Sequence, residues 1–559
     1  MNSLTVTPSA ATHEVLNQVP PLTGYNLFLS DKTLTQAVAR AKADWAVGQL
    51  TDLGGILGGV EAQRWGFEAN ENEPVLHTHD RYGNRRDEVV FHPSWHNLMR
   101  TSVEHGLHNL PWVVMKRTEK VQGAQMARAA LMMMTAQNEA GHTCPISMTF
   151  SGMAALRTEP DLARDWEEKF LSPIYDPQFR PAAEKKGALM GMGMTEKQGG
   201  SDVRANTTQA EPIGRSREYL ITGHKWFCSA PMCDAFLILA QAPKGLSCFF
   251  LPRWTPTGER NHFHIQRLKQ KMGNRSNASS EVEFAGAWAR LVGEEGRGVN
   301  TIIEMVHHTR LDCAIAGAAL MRQALVQAVH HARHRKAFGQ LLIDQPLMRN
   351  VLADLAIESE AATLFMARLA NSFDVRDSDL RERAFSRIAT AIGKYWLCKR
   401  ACMHVGEALE CLGGNGYVEE SVMPRLYREA PLNSIWEGSG NVICLDILRA
   451  LAKEPSTLEA LIAEIRLSVG ADSRVSAFVA DVESSLMKGK NGSDSEGQAR
   501  RLAEKLALAL QASLLMRYGT PSIAEAFCIT RLGDDHGYTF GTLPAGVDIS
   551  SILSTLVSV

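Results

Sequence analysis

At 559 residues the chain exceeds one ordinary hydrophobic core and is expected to divide into three or four domains. Its 45% apolar and 21% charged residues describe a globular protein, and 59 basic against 61 acidic residues remove any global electrostatic case for a nucleic-acid partner, leaving only local patches. No run of about 18 apolar residues suggests a membrane span, and Met1 to Glu14 lacks the basic start and apolar stretch of a secretory signal, so a cytoplasmic address is the default expectation.

In chain order, Pro20-Pro21 marks a nonhelical lead-in, and the first forty residues read as an arm. From Lys32 to Phe170 the pattern is mainly helical, interrupted by turn chemistry at Asn70 to Pro74 and Tyr82 to Arg86. Ala127 to Ala136 is apolar on all sides, which predicts a helix buried against other domains. Between Leu189 and Val292 the texture becomes β-rich: Tyr219 to Thr222, Ala235 to Leu239, Ser247 to Leu251 and Ser280 to Phe284 are short runs separated by Gly, Pro and Asn. Long periodic segments then return at Asn300 to Phe338, Pro346 to Ser372, Leu380 to Leu412 and Gly440 to Ala452, lengths that suit an antiparallel bundle. After Pro455, helical periodicity continues at Leu458 to Val469, Val475 to Met487 and Ala499 to Arg517, with Lys488 to Gly497 reading as an exposed loop. The expected chain is α+β and mainly α: an N-terminal arm and helical domain (1–188), a β domain (189–292), a helix bundle (293–452) and a C-terminal helical extension (453–559).

Several residue groups could carry chemistry. The ten cysteines are scattered, and Cys398 and Cys402 share a helical pattern instead of a zinc-knuckle spacing, so reduced buried thiols are expected. His330 and His334 would share a helix face, but no third ligand accompanies them and no metal is expected. Met192-Gly193-Met194-Thr195-Glu196-Lys197-Gln198-Gly199-Gly200-Ser201-Asp202 offers small residues and hydroxyls where a backbone could approach a flat polar ring. Glu437 lies between Ile435-Trp436 and Gly438, surroundings in which desolvation raises a carboxylate's pKa toward that of a working base. From composition alone, an acid opposing the dipole of the helix that starts near Gly440 is the favoured explanation of Glu437. Gly413-Gly414-Asn415-Gly416-Tyr417 reads either as a phosphate-cradling turn or as a plain helix cap. Arg333 to Lys336 reads as a pyrophosphate grip or a solvated basic helix end. No GxGxxG follows a strand and no GxxxxGK[ST] occurs, which disfavours Rossmann and P-loop sites.

Taken together, these motifs resemble the acyl-CoA dehydrogenase family from about Leu189 to Ala452. The resemblance implies FAD bound between the β domain and the bundle across a subunit boundary of a homotetramer. Met192 to Ser201 looks like the family's flavin loop, with Thr195 and Ser201 meeting the isoalloxazine and pyrophosphate. Gly223-His224-Lys225-Trp226-Phe227-Cys228-Ser229 is similar to its second strand motif, in which Trp226 covers one ring face and Ser229 lies near the redox nitrogen. Arg335 and Phe338, with Gln345 after them, resemble the segment that reaches a neighbouring subunit's FAD. Glu437 stands where one branch keeps its catalytic base, and Ile435, Trp436, Gly438, Ser439, Gly440 and Asn441 complete that segment.

A narrower resemblance spans nearly the whole chain. Phe91 to His96, Lys271 to Ser279, Pro424 to Glu429, Trp436 to Asn441 and the helices after Pro455 are similar to the AidB subgroup of bacterial adaptive-response flavoproteins. That implies a flavoprotein of the response to DNA alkylation, binding duplex DNA and protecting it or detoxifying alkylating compounds, with weak dehydrogenase activity on isovaleryl-type thioesters. A dehydrogenase of short or branched acyl thioesters without a DNA role is the alternative. Three departures from the wider family bear on substrate: Trp436 replaces a tyrosine and narrows the acyl slot, His307 replaces an acid that helps seat the coenzyme, and Glu410 replaces a glutamine before the glycine turn. Residues 451–559 hold ten basic and thirteen acidic residues, a net of −3, so any DNA contact must gather from folded positions. Arg449, Arg500, Arg501, Arg517 and Arg531 are available. Arg449 and Arg531 match basic positions of the subgroup, although pairing with nearby acids would account for them as well.

Overall fold

The computed structural model describes residues 12–118, 121–214, 216–489, 496–533, 535 and 537–556. Part of the segment expected as a loop between Lys488 and Gly497, residues 490–495, lies outside them, as does most of the stretch Met1 to Glu14.

The N-terminal region is helical from Lys32–Arg40 to Pro160–Phe170. Every residue of helix Ala124–Asn138 is buried, as its all-round apolar pattern predicts. Asp374, from the bundle, accepts hydrogen bonds from the Gln125 and Met126 amides and so serves the open N–H groups of that helix's first turn. Where the sequence suggests only interruptions, Val75–His79 and Arg85–Val90 pair as an antiparallel hairpin. Its turn is closed by Asp80 Oδ1, which accepts from the Tyr82 and Asn84 amides, with Gly83 at φ +84°.

All four expected β runs lie within longer strands. Seven strands join in the order Met190–Gly193, Glu218–Ser229, Gln209–Pro212, Ala235–Ala242, Gly245–Pro252, Ser279–Val292 and Phe263–Leu268. Two further pairings, Met190–Gly193 with Ala235–Ala242 and Glu218–Ser229 with Ser279–Val292, close the sheet on itself. Closure leaves few open edges and encloses a core of Phe236, Phe249, Phe263 and Ile238.

Three long helices, Gly298–His334, Pro346–Val375 and Leu380–Cys411, pack with the shorter Met423–Asn433 and Gly440–Lys453. The first ends at His334, earlier than periodicity suggests, because Lys336–Ala337 and Gln340–Leu341 form a tight hairpin. Its two central residues, Phe338 and Gly339, have φ of +50° and +82°, values incompatible with a helix. Pro455–Ile465, Ser473–Gly489 and Ala499–Tyr518 follow, and Ala499–Tyr518 packs on Pro346–Val375, Leu380–Cys411 and Gly440–Lys453. The extension therefore shares the bundle's core. Among the described residues no helix is long and apolar enough to cross a membrane.

One buried pair fixes the N-terminal helices to the bundle. Arg128 NH1 and NH2 meet Asp312 Oδ1 and Oδ2 at 2.6 and 2.8 Å, Ser147 Oγ donates to Oδ2 at 2.6 Å, and the guanidinium lies 3.5 Å from the Phe150 ring centroid. Every Asp312 oxygen is thereby satisfied, the condition under which a buried ion pair is tolerated.

Candidate active site

Glu437 sits in the turn between helices Met423–Asn433 and Gly440–Lys453, on the seam where Trp436 packs against the β-domain core. Its φ is +58°, a region that costs a non-glycine residue about 1–3 kcal/mol and persists only when neighbours enforce it. The neighbours are identifiable. Arg310 Nε donates to the Glu437 carbonyl at 3.0 Å while its NH1 meets Asp446 Oδ2 at 2.7 Å, and Lys394 Nζ donates to the Gly438 carbonyl. The carboxylate takes one hydrogen bond, from Thr309 Oγ1 to Oε2 at 2.7 Å. Burial raises its pKa above the ordinary carboxylate value, opposed by Thr309, Arg310 and Lys394. Gly438 and Ser439 separate Glu437 from helix Gly440–Lys453, and the Glu437 carboxylate caps no amide.

Facing this seam, burial pushes the Cys144 thiol up to about 12, with the Glu437 charge adding to that rise and the nearby Asn277 amide and Ser229 hydroxyl acting against it. Ser229 Oγ is 3.4 Å from Ser279 Oγ. Asn277 is 1% exposed, and apart from the adjoining Cys144 thiol neither its amide nitrogen nor its oxygen has a hydrogen-bond partner. A buried amide so sparsely partnered is costly, and here it stands ready for a polar ligand.

The loop after strand Met190–Gly193 is built around Glu196. Its carboxylate is fully buried, meets Lys225 Nζ at 2.7 Å and accepts from the Thr207 and Thr208 amides, and the ammonium and these hydrogen bonds hold its pKa down to about 2 against the burial that raises it. That side chain shapes the loop from within. Gly200 has no room for a side chain, since a Cβ would lie 2.4 Å from Thr195 Oγ1, and Gly199 has φ +139°. The hydroxyls of Thr195 and Ser201 bond no protein group among the described residues. Gln198 Nε2 donates to Glu196 Oε2 and the Lys197 amide to His224 Nε2, and Asn206 Nδ2 ties down the Met194 carbonyl. Met192 packs on the β core, Gly193 pairs with Cys228, and Cys228 itself is fully buried, so that residue adjoins the site through backbone alone. The Trp226 amide donates to the Thr195 carbonyl, which couples the two motifs. Lys269 Nζ lies 3.5 Å from the Trp226 ring centroid and 4.5 Å from that of Phe227.

Arg335, Phe338 and Gln345 are held apart from Glu437, at the hairpin following the first bundle helix. Phe338 is 96% exposed at its strained φ, while Gln345 Nε2 donates to the Ala337 carbonyl and Arg335 NH1 to the Asn17 carbonyl. Gly413, at φ +59°, follows helix Leu380–Cys411 and opens the turn Gly414–Tyr417, with Glu410 exposed beside it. Ile435 is largely exposed. Trp436 Nε1 donates to Asn433 Oδ1 at 3.2 Å. His307 is buried, and desolvation together with Arg376 lowers its pKa to about 3, so it is a neutral group there. The His330 and His334 rings lie tilted with centroids 4.3 Å apart, and no group of three metal-ligating side chains occurs among the described residues.

The arginines divide. Arg449 is 63% exposed, with only Asp446 at 3.7 Å. Arg531 is 14% exposed and pairs with Asp354 at 2.5 Å and Glu358 at 3.5 Å, which corrects the expectation of a solvent-facing phosphate contact: the guanidinium neutralises two buried acids. Arg517 is likewise paired, with Glu464. Sequence spacing gave no sign of Thr309, Lys394 or Lys269, which come from helix Gly298–His334, helix Leu380–Cys411 and the loop after strand Phe263–Leu268.

Comparison with known proteins decides the family. The adaptive response protein AidB N-terminal domain matches residues 17–177, the acyl-CoA dehydrogenase middle domain 191–287 and the acyl-CoA dehydrogenase C-terminal domain 296–452. The AidB protein of Escherichia coli (strain K12) is 45% identical over 92% of this chain and 94% of its own length. This chain belongs to the acyl-CoA dehydrogenase family, in its AidB branch. Its members are FAD-dependent flavoproteins and oxidoreductases. The apo-form of Bd2924 superposes with a TM-score of 0.81 at 28% identity, covering 90% of this chain and all of that one. Caenorhabditis elegans ACDH-11, solved with C11-CoA, does so with a TM-score of 0.81 at 24% identity over 99% and 96%, a likeness of fold. The residues present fit FAD: hydroxyls at Thr195 and Ser201 that bond no protein group among the described residues, a buried amide at Asn277 with only the Cys144 thiol against it, and Gly200, whose Cβ would fill the loop.

Proposed function

We propose that this chain is an FAD-dependent oxidoreductase in which the Glu437 carboxylate removes a proton from the carbon next to an acyl carbonyl. The observation that carries the reading is a strained, partly buried carboxylate with a raised pKa, held by one hydroxyl. Bound FAD would supply the acceptor for the hydride leaving the adjacent carbon, chemistry no side chain provides. Met192 to Ser201 and Trp226 to Ser229 would hold it from the β domain, and Ile435, Trp436 and Gly438 to Asn441 from the bundle. Arg335, Phe338 and Gln345 would reach it from a neighbouring subunit of a homotetramer, a role that suits the strain and exposure of Phe338. Glu196 and Cys228 would act through loop and backbone position.

Wild-type protein loaded with FAD should bleach on titration with an isovaleryl thioester. Glu437→Gln should keep its flavin, remain reducible by dithionite, and bleach roughly 10²–10⁴ times more slowly, the ordinary share of a positioned base. Bleaching of the variant at the wild-type rate would overturn the assignment.

The AidB branch supports the finer reading, an adaptive-response protein that binds duplex DNA and shields it or destroys alkylating compounds. Arg449, the exposed member of the arginine pair, would meet a DNA phosphate. DNA affinity should fall steeply with salt, and Arg449→Glu should flatten the slope by about 1 for each phosphate that position no longer neutralises. Absence of salt-sensitive binding at micromolar protein refutes it.

A further inference from the structure

Beyond the reacting carboxylate, two cations converge on the first turn of helix Gly440–Lys453. Arg500, on helix Ala499–Tyr518 of the C-terminal extension, donates from Nε to Asn441 Oδ1 at 2.8 Å. Lys399, on helix Leu380–Cys411, approaches the same turn. A Cβ on Gly440 would lie 3.0 Å from Lys399 Cε, 3.3 Å from Lys399 Nζ and 3.5 Å from Arg500 NH2. A side chain at this position would press on the Lys399 end group and meet Arg500 at ordinary contact. Among the described residues neither cation has a carboxylate within ion-pairing distance: the Lys399 ammonium faces the Tyr395 ring at 5.7 Å, and Glu504, one turn beyond Arg500, forms no pair with it.

The electrostatics of this arrangement are one-sided. A helix N-terminus carries about half a positive charge on its open N–H groups. Ser439, the residue before the helix, makes no side-chain cap. Two further positive charges at the same spot repel one another and the helix end, and an anion relieves all three interactions. Both cations also act to lower the pKa of the buried Cys444 thiol, which burial raises to about 11, so they bear on one small volume from two helices.

We propose that this cradle is an anion site for the diphosphate of FAD, and that Arg500 is a positioning contact through which the C-terminal extension retains the cofactor. The inference rests on the reading of Ser439 to Asn441 as part of the cofactor segment. A diphosphate supplies two charges and a row of oxygens suited to a guanidinium fork beside an ammonium and helix amides. Because FAD would bridge the seam and the extension, its binding stabilises the docked position of helix Ala499–Tyr518, and the extension in turn slows FAD release.

The test uses full-length, FAD-loaded protein. Dissociation is followed on dilution by recovery of flavin fluorescence, over a range of salt, for wild type, Arg500→Gln, Arg500→Lys and the double variant Arg500→Gln with Lys399→Gln. Duplex DNA binding is measured in parallel. We expect FAD release at least tenfold faster for Arg500→Gln, faster again for the double variant, partly restored by Arg500→Lys, and less sensitive to salt than in wild type. Far-UV circular dichroism should be unchanged, because Arg500 is exposed, and this single variant decides the matter should the double variant fail to fold. Unaltered FAD release in Arg500→Gln overturns the proposal, and a loss of DNA affinity in its place assigns the cations to nucleic acid. If wild-type protein itself retains no FAD, the underlying cofactor reading fails instead.

Discussion

Glu429 should make stability fall as pH rises from about 4.5 to about 7, and Glu429→Gln should remove that dependence. The carboxyl is buried on helix Met423–Asn433 and accepts from the Asn274 amide at 2.8 Å and from Asn274 Nδ2 at 2.7 Å. Burial, reinforced by the Glu139 charge, pushes its pKa from the ordinary 4.5 up to about 7. Below pH 4.5 both folded and unfolded chains carry the proton, and the group contributes nothing to pH dependence. Between 4.5 and 7 the unfolded chain ionises while the folded one holds its proton, so stability declines by about 1.4 kcal/mol per unit. Above pH 7 the loss levels off at about 3 kcal/mol.

A glutamine at 429 never ionises. Its oxygen can accept from the Asn274 amide, and its NH2 group can donate to Asn274 Oδ1, which lacks a partner in wild type, once the Asn274 amide turns. Thermal unfolding of both proteins from pH 4.5 to 8.5 should show the variant equal to or below wild type at the acid end and above it at the alkaline end. Glu139, held near 2 by His142, gives an opposite slope at still lower pH, but it is common to both proteins and cancels in the difference. A wild-type minus variant difference that does not change with pH refutes the reasoning. The loop involved carries Asn277, so the same variant should leave thioester titrations below pH 7 unaltered.

Thr309→Val removes the one hydrogen bond that favours ionised Glu437, so the alkaline-rising limb of flavin bleaching against pH should move to higher pH, with FAD content unchanged. A limb that stays in place excludes Thr309 as the tuning group. Arg128→Met leaves Asp312 charged and buried with a single remaining donor, Ser147, and should cost about 3–5 kcal/mol in denaturant unfolding, whereas Arg128→Met with Asp312→Leu should recover much of it. Equal losses in both would show that packing, not charge, dominates. Phe338→Gly relieves a strained φ on a side chain that packs on nothing in its own subunit, so it should not lower the thermal stability of isolated subunits while weakening self-association measured by sedimentation.

What was legible in the sequence depended on the range of the signal. Ala127 to Ala136 declared a buried helix because burial on all sides erases periodicity, and the β runs declared themselves through β-branched and aromatic residues between turn formers. Phe263–Leu268 did not, because its sequence FHIQRL alternates around polar residues at one end of the sheet. The end of the first long helix was misread for a similar reason: Phe338 continues an apolar pattern, and only the strain it accepts beside Gly339 reveals a hairpin. In the site, Glu437 and the glycine loop were visible as local motifs. Thr309 reaches Glu437 from 128 residues away along the chain and Arg500 reaches Asn441 from 59, and no local pattern encodes such meetings.

The strain at Glu437 and the freedom of its carboxylate have one cause. Arg310 and Lys394 could have paired with the Glu437 side chain, which would have fixed it as an ionised structural acid. Instead Arg310 is shared between Asp446 and the Glu437 carbonyl, and Lys394 takes the Gly438 carbonyl. Two cations thus grip consecutive backbone oxygens, which is what holds a left-handed turn that a glutamate would otherwise leave. Holding the backbone this way keeps positive charge near the carboxylate without a direct ion pair, so burial still raises its pKa while Thr309 limits the rise. A direct pair would have reversed that balance, as it does for Glu196 beside Lys225, where the carboxyl falls to about 2. The two glutamates face the same problem of burial next to lysine, and the difference in which oxygen the lysine meets leaves one carboxyl with a lowered pKa and the other with a raised one.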